Sequence, residues 1–183
     1  RYRLNANETI FNAINSKIDI SQEVDSYGTY EGAIATLNVQ NRFQIYIENG
    51  ANASATLKDQ NGNEIISGTL DSEGKWLLDD PVTWVQRYLE TAEGELVENQ
   101  LNYFEPFTLE VKKNGLQDLT IPNIYSSIYD SEKGKRIGSL EDTVVEGQMV
   151  GKNYVDRNIQ GDIELTKELK GEIEIIELQG EVS

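Results

Sequence analysis

The amino-acid sequence predicts an all-β protein, in which a β-sandwich is followed by an extended C-terminal segment of β-repeats. Apolar and polar residues alternate along most of the chain, which is the period of a strand with one buried face. Turn pairs such as Asn49-Gly50 and Asn114-Gly115 separate these runs at short spacing, as in sandwich proteins. Near the C-terminus a pattern centred on glycine recurs. Together these observations predict six or seven short strands and then the repeats.

Residues 1–50 form a predicted N-terminal segment of strands with one possible short helix. Ile34–Val39 and Phe43–Glu48 read as strands, and the second alternates more cleanly. Asn7–Lys17 could instead be a helix, because its apolar residues recur at helical spacing after a potential asparagine cap. We therefore expect strands from residue 34 and leave a helix open before them.

Residues 51–130 are predicted to hold the sandwich itself. Strand patterns occur at Ala53–Lys58, Glu64–Leu70 and Lys75–Leu78, and a hairpin joins Pro106–Lys113 to Leu116–Ile121. The turns between them are rich in Asn, Asp and Gly, which tolerate the backbone angles of tight turns.

The stretch between these strands is ambiguous. Trp84–Ala92 fits a helix that begins after Asp80-Pro81. It also fits a strand that turns back into Leu96–Tyr103, and Trp, Val, Tyr and Thr favour strands. The composition favours the hairpin.

Residues 131–183 are predicted to be an acidic assembly segment. From Glu141 to Ser183 there are 11 acidic and 4 basic residues, a net charge of −7. An aliphatic, polar, Gly, polar, aliphatic unit recurs around Gly147, Gly161, Gly171 and Gly180. One unit is too short to bury its own apolar side.

We therefore expect the repeat strands to pair with partner subunits, giving a homo-oligomer in which a trimer is possible. The alternative is a disordered acidic tail. The predicted subunit-interface residues are Ile159, Ile163, Leu169, Ile173, Ile175, Leu178 and Val182.

Three stretches carry a resemblance to known families. Ala55–Ile65, with its Asp-Gln-Asn-Gly-Asn turn, and Asp71–Trp76 resemble a bacterial immunoglobulin-like domain. Phe107–Ile121 is similar to the closing hairpin of carboxypeptidase-regulatory-like (transthyretin-like) sandwiches. The resemblance covers roughly residues 51–122 and implies an immunoglobulin-like β-sandwich. The span Leu77–Glu105 is longer than these families use.

The glycine-centred repeats resemble those at the ends of bacteriophage tail, baseplate and fibre proteins. There, short strands from several subunits commonly build a shared β-structured stalk. The resemblance implies a structural and interaction protein of a virion, as a tail, baseplate, fibre or capsid-decoration component. Its partners would be other virion subunits.

Composition excludes many kinds of chemistry. The chain has no Cys and no His, which removes thiolate and imidazole metal sites and the Ser-His and Cys-His mechanisms. The formal net charge of −16 repels phosphate and so disfavours nucleic acid. No segment approaches the roughly 20 apolar residues of a membrane span. We expect no enzymatic activity, no cofactor and no metal site.

Exposed aromatic residues define a second hypothesis, an adhesin or carbohydrate-binding module of the bacterial cell surface. Trp84 and Tyr88 lie in the unusual insertion and could stack on the sugar rings of a bacterial surface glycan. Trp76 and Phe107 are instead expected in the sandwich core.

A third hypothesis is a carboxylate-based glycosidase, which needs two carboxyl groups about 5–9.5 Å apart. Acidic residues near the two tryptophans are Asp79, Asp80, Glu90, Glu93, Glu95 and Glu98, although solvated surface is their default role. A calcium loop begins at Asp59 but fails, because Glu64 replaces the turn glycine and Leu70 the bidentate glutamate.

Overall fold

Alternating apolar residues give the chain strands throughout the part that the structure describes. A computed structural model describes residues 8–19, 33–92 and 95–152. The strands are β1 (Glu8–Ile14), β2 (Ala33–Asn41), β3 (Phe43–Glu48), β4 (Ser54–Lys58), β5 (Glu64–Thr69), β6 (Lys75–Leu77), β7 (Val82–Ala92), β8 (Glu95–Tyr103), β9 (Phe107–Lys112), β10 (Leu119–Ile124), β11 (Ser127–Asp130), β12 (Lys135–Gly138) and β13 (Thr143–Gln148).

The strands form several sheets. Two four-stranded sheets have the orders β1-β2-β7-β8 and β10-β9-β4-β5. A three-stranded sheet has the order β13-β3-β6, and β11 pairs with β12. Only Arg42 separates β2 from β3, so the chain passes directly from one sheet to another. The two parallel pairs, β1 with β2 and β13 with β3, both lie along this continuous β2–β3 segment.

The hydrophobic core lies between the inward faces of these sheets. Phe43, Ile45 and Ile47 of β3 are buried there, as their alternation predicts. Phe43 meets Phe107 of β9 edge to face, with ring centroids 5.6 Å apart, an arrangement that aromatic pairs prefer. Trp76 packs partly buried against the same core. The expected core role of Phe107 is thus confirmed, and Trp76 borders the core.

The all-β class is confirmed, and so is the hairpin predicted for the ambiguous insertion, which forms β7 and β8. The predicted hairpin around Asn114-Gly115 is also present, although β10 begins at Leu119. The helix considered for Asn7–Lys17 is wrong, because this segment contains β1. The backbone groups of β1 pair in parallel with β2, and non-local pairing overrides weak helical spacing.

Residues from both sides of the predicted domain boundaries at residues 50 and 130 contribute to the same core. Val39 and Phe43 from the N-terminal segment, Leu57 from the predicted sandwich, and Val145 and Met149 from the predicted assembly segment belong to one cluster of buried residues. A compact unit therefore extends to Lys152.

The described residues include no helix long and apolar enough to cross a membrane.

Candidate functional site

One copy of the glycine-centred repeat, Val145–Met149, lies within the described residues, and it shows how the pattern folds. Val145 and Met149 are buried, whereas Glu146 and Gln148 face solvent. The segment adds to β3 in parallel, with Val145 opposite Ile45 and Gly147 opposite Ile47. The aliphatic positions of this repeat therefore point into the core, and the polar positions keep the outer face in water.

The centre of this repeat, Gly147, has no room for a side chain. A Cβ atom placed there would lie 2.8 Å from Cδ1 of Ile121 and 3.1 Å from Cδ2 of Leu119. Both side chains come from β10, which belongs to the β10-β9-β4-β5 sheet, whereas Gly147 belongs to the β13-β3-β6 sheet. The glycine leaves the space that those side chains fill, so close packing between sheets requires it.

The β13 strand is tied to the end of β1 through the residue between β2 and β3. The backbone N–H of Arg42 donates to Oδ1 of Asn15 (3.0 Å), and its carbonyl accepts from the N–H of Thr143 (2.7 Å). The carboxylate of Asp142 accepts hydrogen bonds from the side chains of Asn15 and Gln44. The hydrogen bonds from Gln44 and Asn15 lower the pKa of Asp142 below its usual range. We call these five residues the Arg42 junction.

The remaining copies of the repeat, and with them every predicted subunit-interface residue, lie outside the described residues. These are Ile159, Ile163, Leu169, Ile173, Ile175, Leu178 and Val182.

Trp84 does not occupy the surface position expected for a glycan contact. It is fully buried and belongs to the core cluster. The register between β2 and β7 shifts here, since Val39 pairs with Val85 and Gln40 pairs with Thr83. Trp84 is thus the extra residue of a β-bulge, which breaks the alternation and turns its indole inward beside Val85. The expectation that Trp84 stacks on a sugar ring is therefore wrong.

Tyr88 lies half-buried on the outer face of the same sheet, four residues beyond the bulge. In the next row along this face, Asn12, Asn38, Gln86 and Asn102 stand side by side on the four strands, and we call them the amide row. Asn38 donates from Nδ2 to Oδ1 of Asn12 (2.9 Å), and Gln86 donates from Nε2 to Oδ1 of Asn38 (2.9 Å). The outer face therefore carries ordered amide groups.

A groove of about 430 Å³ adjoins the amide row. Asn38, Thr83 and Gln86 line it on the side of the outer face, and Ile65, Pro81 and Phe104 supply apolar surface. Among the described residues that line it, Asp80 is the one that carries a charge. This combination of apolar wall, amides and a single carboxylate suits a neutral polar ligand better than an anion.

A second polar cluster is buried around Glu105, just before β9. The carboxylate accepts hydrogen bonds from the backbone N–H groups of Ser126 (2.9 Å) and Ser127 (3.1 Å) and from the Ser127 hydroxyl. Arg136 donates to the Ser127 carbonyl (3.0 Å), and Thr143 of β13 donates to the Ser126 hydroxyl (3.1 Å). Burial raises the pKa of Glu105, against those hydrogen bonds and the nearby Arg136 charge. The cluster connects β9, β11, β12 and β13.

The turn that opens like a calcium loop is closed by its own hydrogen bonds. Asp59 accepts from the backbone N–H groups of Asn61 and Asn63, both at 2.8 Å, and from the Asn63 amide at 2.9 Å. Burial opposes ionisation of Asp59, but these hydrogen bonds prevail and lower its pKa. Among the described residues no group of three or more acidic side chains is placed to hold a metal ion.

The acidic residues considered for a glycosidase are only partly described. Asp79 and Asp80 are exposed between β6 and β7. The side chains of Glu90, Glu93, Glu95 and Glu98 lie outside the described part of the chain. The glycosidase hypothesis therefore stays a prediction.

The amide row was missed in the sequence because its members lie on four strands that are distant along the chain. Their common signal is a polar residue at an outward position of each strand, which has meaning only once the register is known.

Comparisons with models of protein families, with curated proteins and with solved structures found no match for this chain.

Proposed function

We propose that this chain is a structural and interaction protein of a bacteriophage particle, as a tail, baseplate, fibre or capsid-decoration component. The observation that carries the proposal is β13, in which one copy of the repeat adds in parallel to a sheet and buries its aliphatic residues. The resemblance of the repeats to those of phage tail and fibre proteins supports the setting in a virion.

Assembly would follow the pattern that β13 sets within one chain. Each further copy would present backbone groups for pairing and one aliphatic face for burial against neighbouring subunits. Ile163, Leu169 and Ile173 occupy the same motif positions as the buried Val145 and Met149. Their burial would supply roughly 25 cal/mol per Å² of apolar area, before the cost of ordering the strands.

The acidic residues of the repeats would serve solubility. Glu146 and Gln148 face solvent on either side of Gly147, and Asp162 and Glu172 hold the position of Gln148 in later copies. Charges at outward positions discourage indiscriminate pairing of strand edges. The repeats would then remain soluble until they meet the correct partner.

Sedimentation of the full chain with two matched variants tests this proposal. One variant carries Ile159→Ser, Ile163→Ser, Leu169→Ser and Ile173→Ser, and the other carries Glu164→Gln, Glu168→Gln, Glu172→Gln and Glu174→Gln. We expect oligomers from the natural chain and the glutamine variant, and a monomer of 20.6 kDa from the serine variant. An unchanged oligomer in the serine variant would remove the role of the aliphatic positions.

The virion setting has a separate test. An antibody raised against the folded unit, applied to purified phage particles under the electron microscope, should label one fixed structural position. Particles that carry no label, from a lysate in which the free protein is detected, would overturn the assignment to the virion and leave the assembly mechanism standing.

A further inference from the structure

We propose that the amide row and the adjoining groove bind a neutral, linear, β-linked oligosaccharide. This goes beyond the proposed assembly function, because the site lies on the β1-β2-β7-β8 sheet and not on the repeats. It also differs from the sequence-based glycan site, since Trp84 is buried and takes no part.

The amide groups match the chemistry of sugar hydroxyl groups. A side-chain amide has two N–H donors and an oxygen with two lone pairs. Within the row, Asn38 uses one donor toward Asn12 and one acceptor toward Gln86. Its other donor and lone pair can serve a hydroxyl group, which itself both donates and accepts.

The row is also held in place before any ligand arrives. Each hydrogen bond fixes the rotamers of the two amides that it joins, and Gln40 similarly donates to Thr83 Oγ1 (3.0 Å) beside the groove. Ordered side chains lose little further entropy on binding, which favours affinity. Neighbouring strands lie about 4.8 Å apart, a repeat close to the length of one pyranose unit in a β-linked chain.

The groove supplies the apolar contact and the charge selectivity. Pro81, Ile65 and Phe104 offer surface for the apolar face of a sugar ring. Asp80 can accept hydrogen bonds from hydroxyl groups, and the lining residues that the structure describes include no Lys or Arg. A carboxylated sugar chain would meet the Asp80 charge and a protein of net charge −16. A neutral chain avoids both penalties.

An NMR titration of the isotopically labelled full chain tests the site. The probes are hexasaccharides: β-1,4-linked glucose, β-1,3-linked glucose and β-1,4-linked N-acetylglucosamine, with α-1,4-linked galacturonic acid as the charged comparison. We expect at least one neutral probe to shift the side-chain amide signals of Asn38 and Gln86 and the backbone signal of Thr83. Galacturonate should shift none of them. No response to any neutral probe at millimolar concentration, or shifts that map elsewhere, would overturn the proposal.

Variants separate binding from structural support by the same side chains. Gln86→Ala should weaken the neutral probe about tenfold, whereas Gln117→Ala, at an exposed amide between β9 and β10, should leave affinity unchanged. A urea midpoint measured for each variant checks that it is folded. Equal affinity of Gln86→Ala and the natural chain would identify the row as a purely structural ladder and contradict the proposal.

Discussion

The strands β1 and β13 join the continuous β2–β3 segment in the same parallel manner, yet they have different consequences. Val145 of β13 and Met149, which follows it, are buried in the core, whereas Glu146 faces solvent. β1 leaves Ile10 and Ile14 exposed by 61% and 39% and carries the first member of the amide row. The same backbone pairing can close a core or extend a surface, and the side chains decide which.

The two strands also meet. Asn15 follows β1, Asp142 precedes β13, and both bind around Arg42, where the chain passes from one sheet to the other. The Arg42 junction therefore couples the end of the surface-extending strand to the start of the core-closing strand. Four substitutions test how unequal the two strands are.

The largest effect should come from removing a core contact of the repeat. Met149→Ala should lower the free energy of unfolding by about 3 kcal/mol, because Met149 is 1% exposed and its loss leaves a cavity. Ile10→Ala on β1 should cost less than about 0.5 kcal/mol. Urea denaturation of both variants measures the difference. Similar losses at the two sites would show that β1 and β13 contribute equally to stability.

Filling the space at Gly147 should have the next largest effect. Gly147→Val forces atoms against Ile121 and Leu119, and we expect a loss of about 2 kcal/mol. Gly151→Val is the matched control, since nothing lies within 4 Å of a Cβ placed at Gly151. Thermal unfolding followed by circular dichroism compares the two. A neutral Gly147→Val would show that this repeat does not need its glycine for packing.

The Arg42 junction should contribute less. Asp142→Ala removes the acceptor for Asn15 and Gln44 and should cost about 1 kcal/mol at neutral pH. Because the pKa of Asp142 is lowered in the folded state, its contribution is present above the ordinary aspartate pKa. It is lost as pH falls through the lowered folded pKa.

The stability of Asp142→Ala should therefore fall less steeply on acidification than that of the natural chain. Glu141→Ala, at an exposed neighbouring carboxylate, is the control and should keep the natural profile. Parallel acid profiles for Asp142→Ala and the natural chain would show that the Asp142 carboxylate does not contribute to the pH dependence of stability.

The smallest effect is expected from Glu105, near the start of β13, as a change in the slope of stability against pH. Burial raises its folded pKa, so its contribution to stability is present below the ordinary glutamate pKa and is lost as pH rises through the raised value. Glu105→Gln cannot titrate and should lack this decline. Urea midpoints measured from pH 4 upward, about the ordinary glutamate pKa, reveal it. Identical slopes would mean that the carboxylate is equally easy to ionise when folded.

Local patterns in the sequence were enough for the core-closing side of this comparison. Alternation placed Phe43, Ile45 and Ile47 on one buried face, and β-favouring residues identified the β7–β8 hairpin. The repeat pattern placed aliphatic residues at Val145 and Met149, which the structure buries. These features depend on residues that are neighbours along the chain.

The outer face of the β1-β2-β7-β8 sheet depends on pairing between distant strands. It could not be predicted from patterns of residues that are neighbours along the chain. One extra residue at the bulge moved Trp84 from the outer face to the core, whereas Tyr88 stayed outside. Helical spacing in the first segment was weaker than pairing with β2, which lies far along the chain. The amide row combines residues as distant as Asn12 and Asn102, whose alignment exists only in the folded sheet.

We propose that the repeat is a strand-adding unit: the copy at Val145–Met149 adds to β3 of its own chain, and the later copies pair between chains. Light scattering of the full chain at micromolar concentration tests it most directly. We expect a mass of two or more times 20.6 kDa. A mass of 20.6 kDa across that concentration range would contradict it.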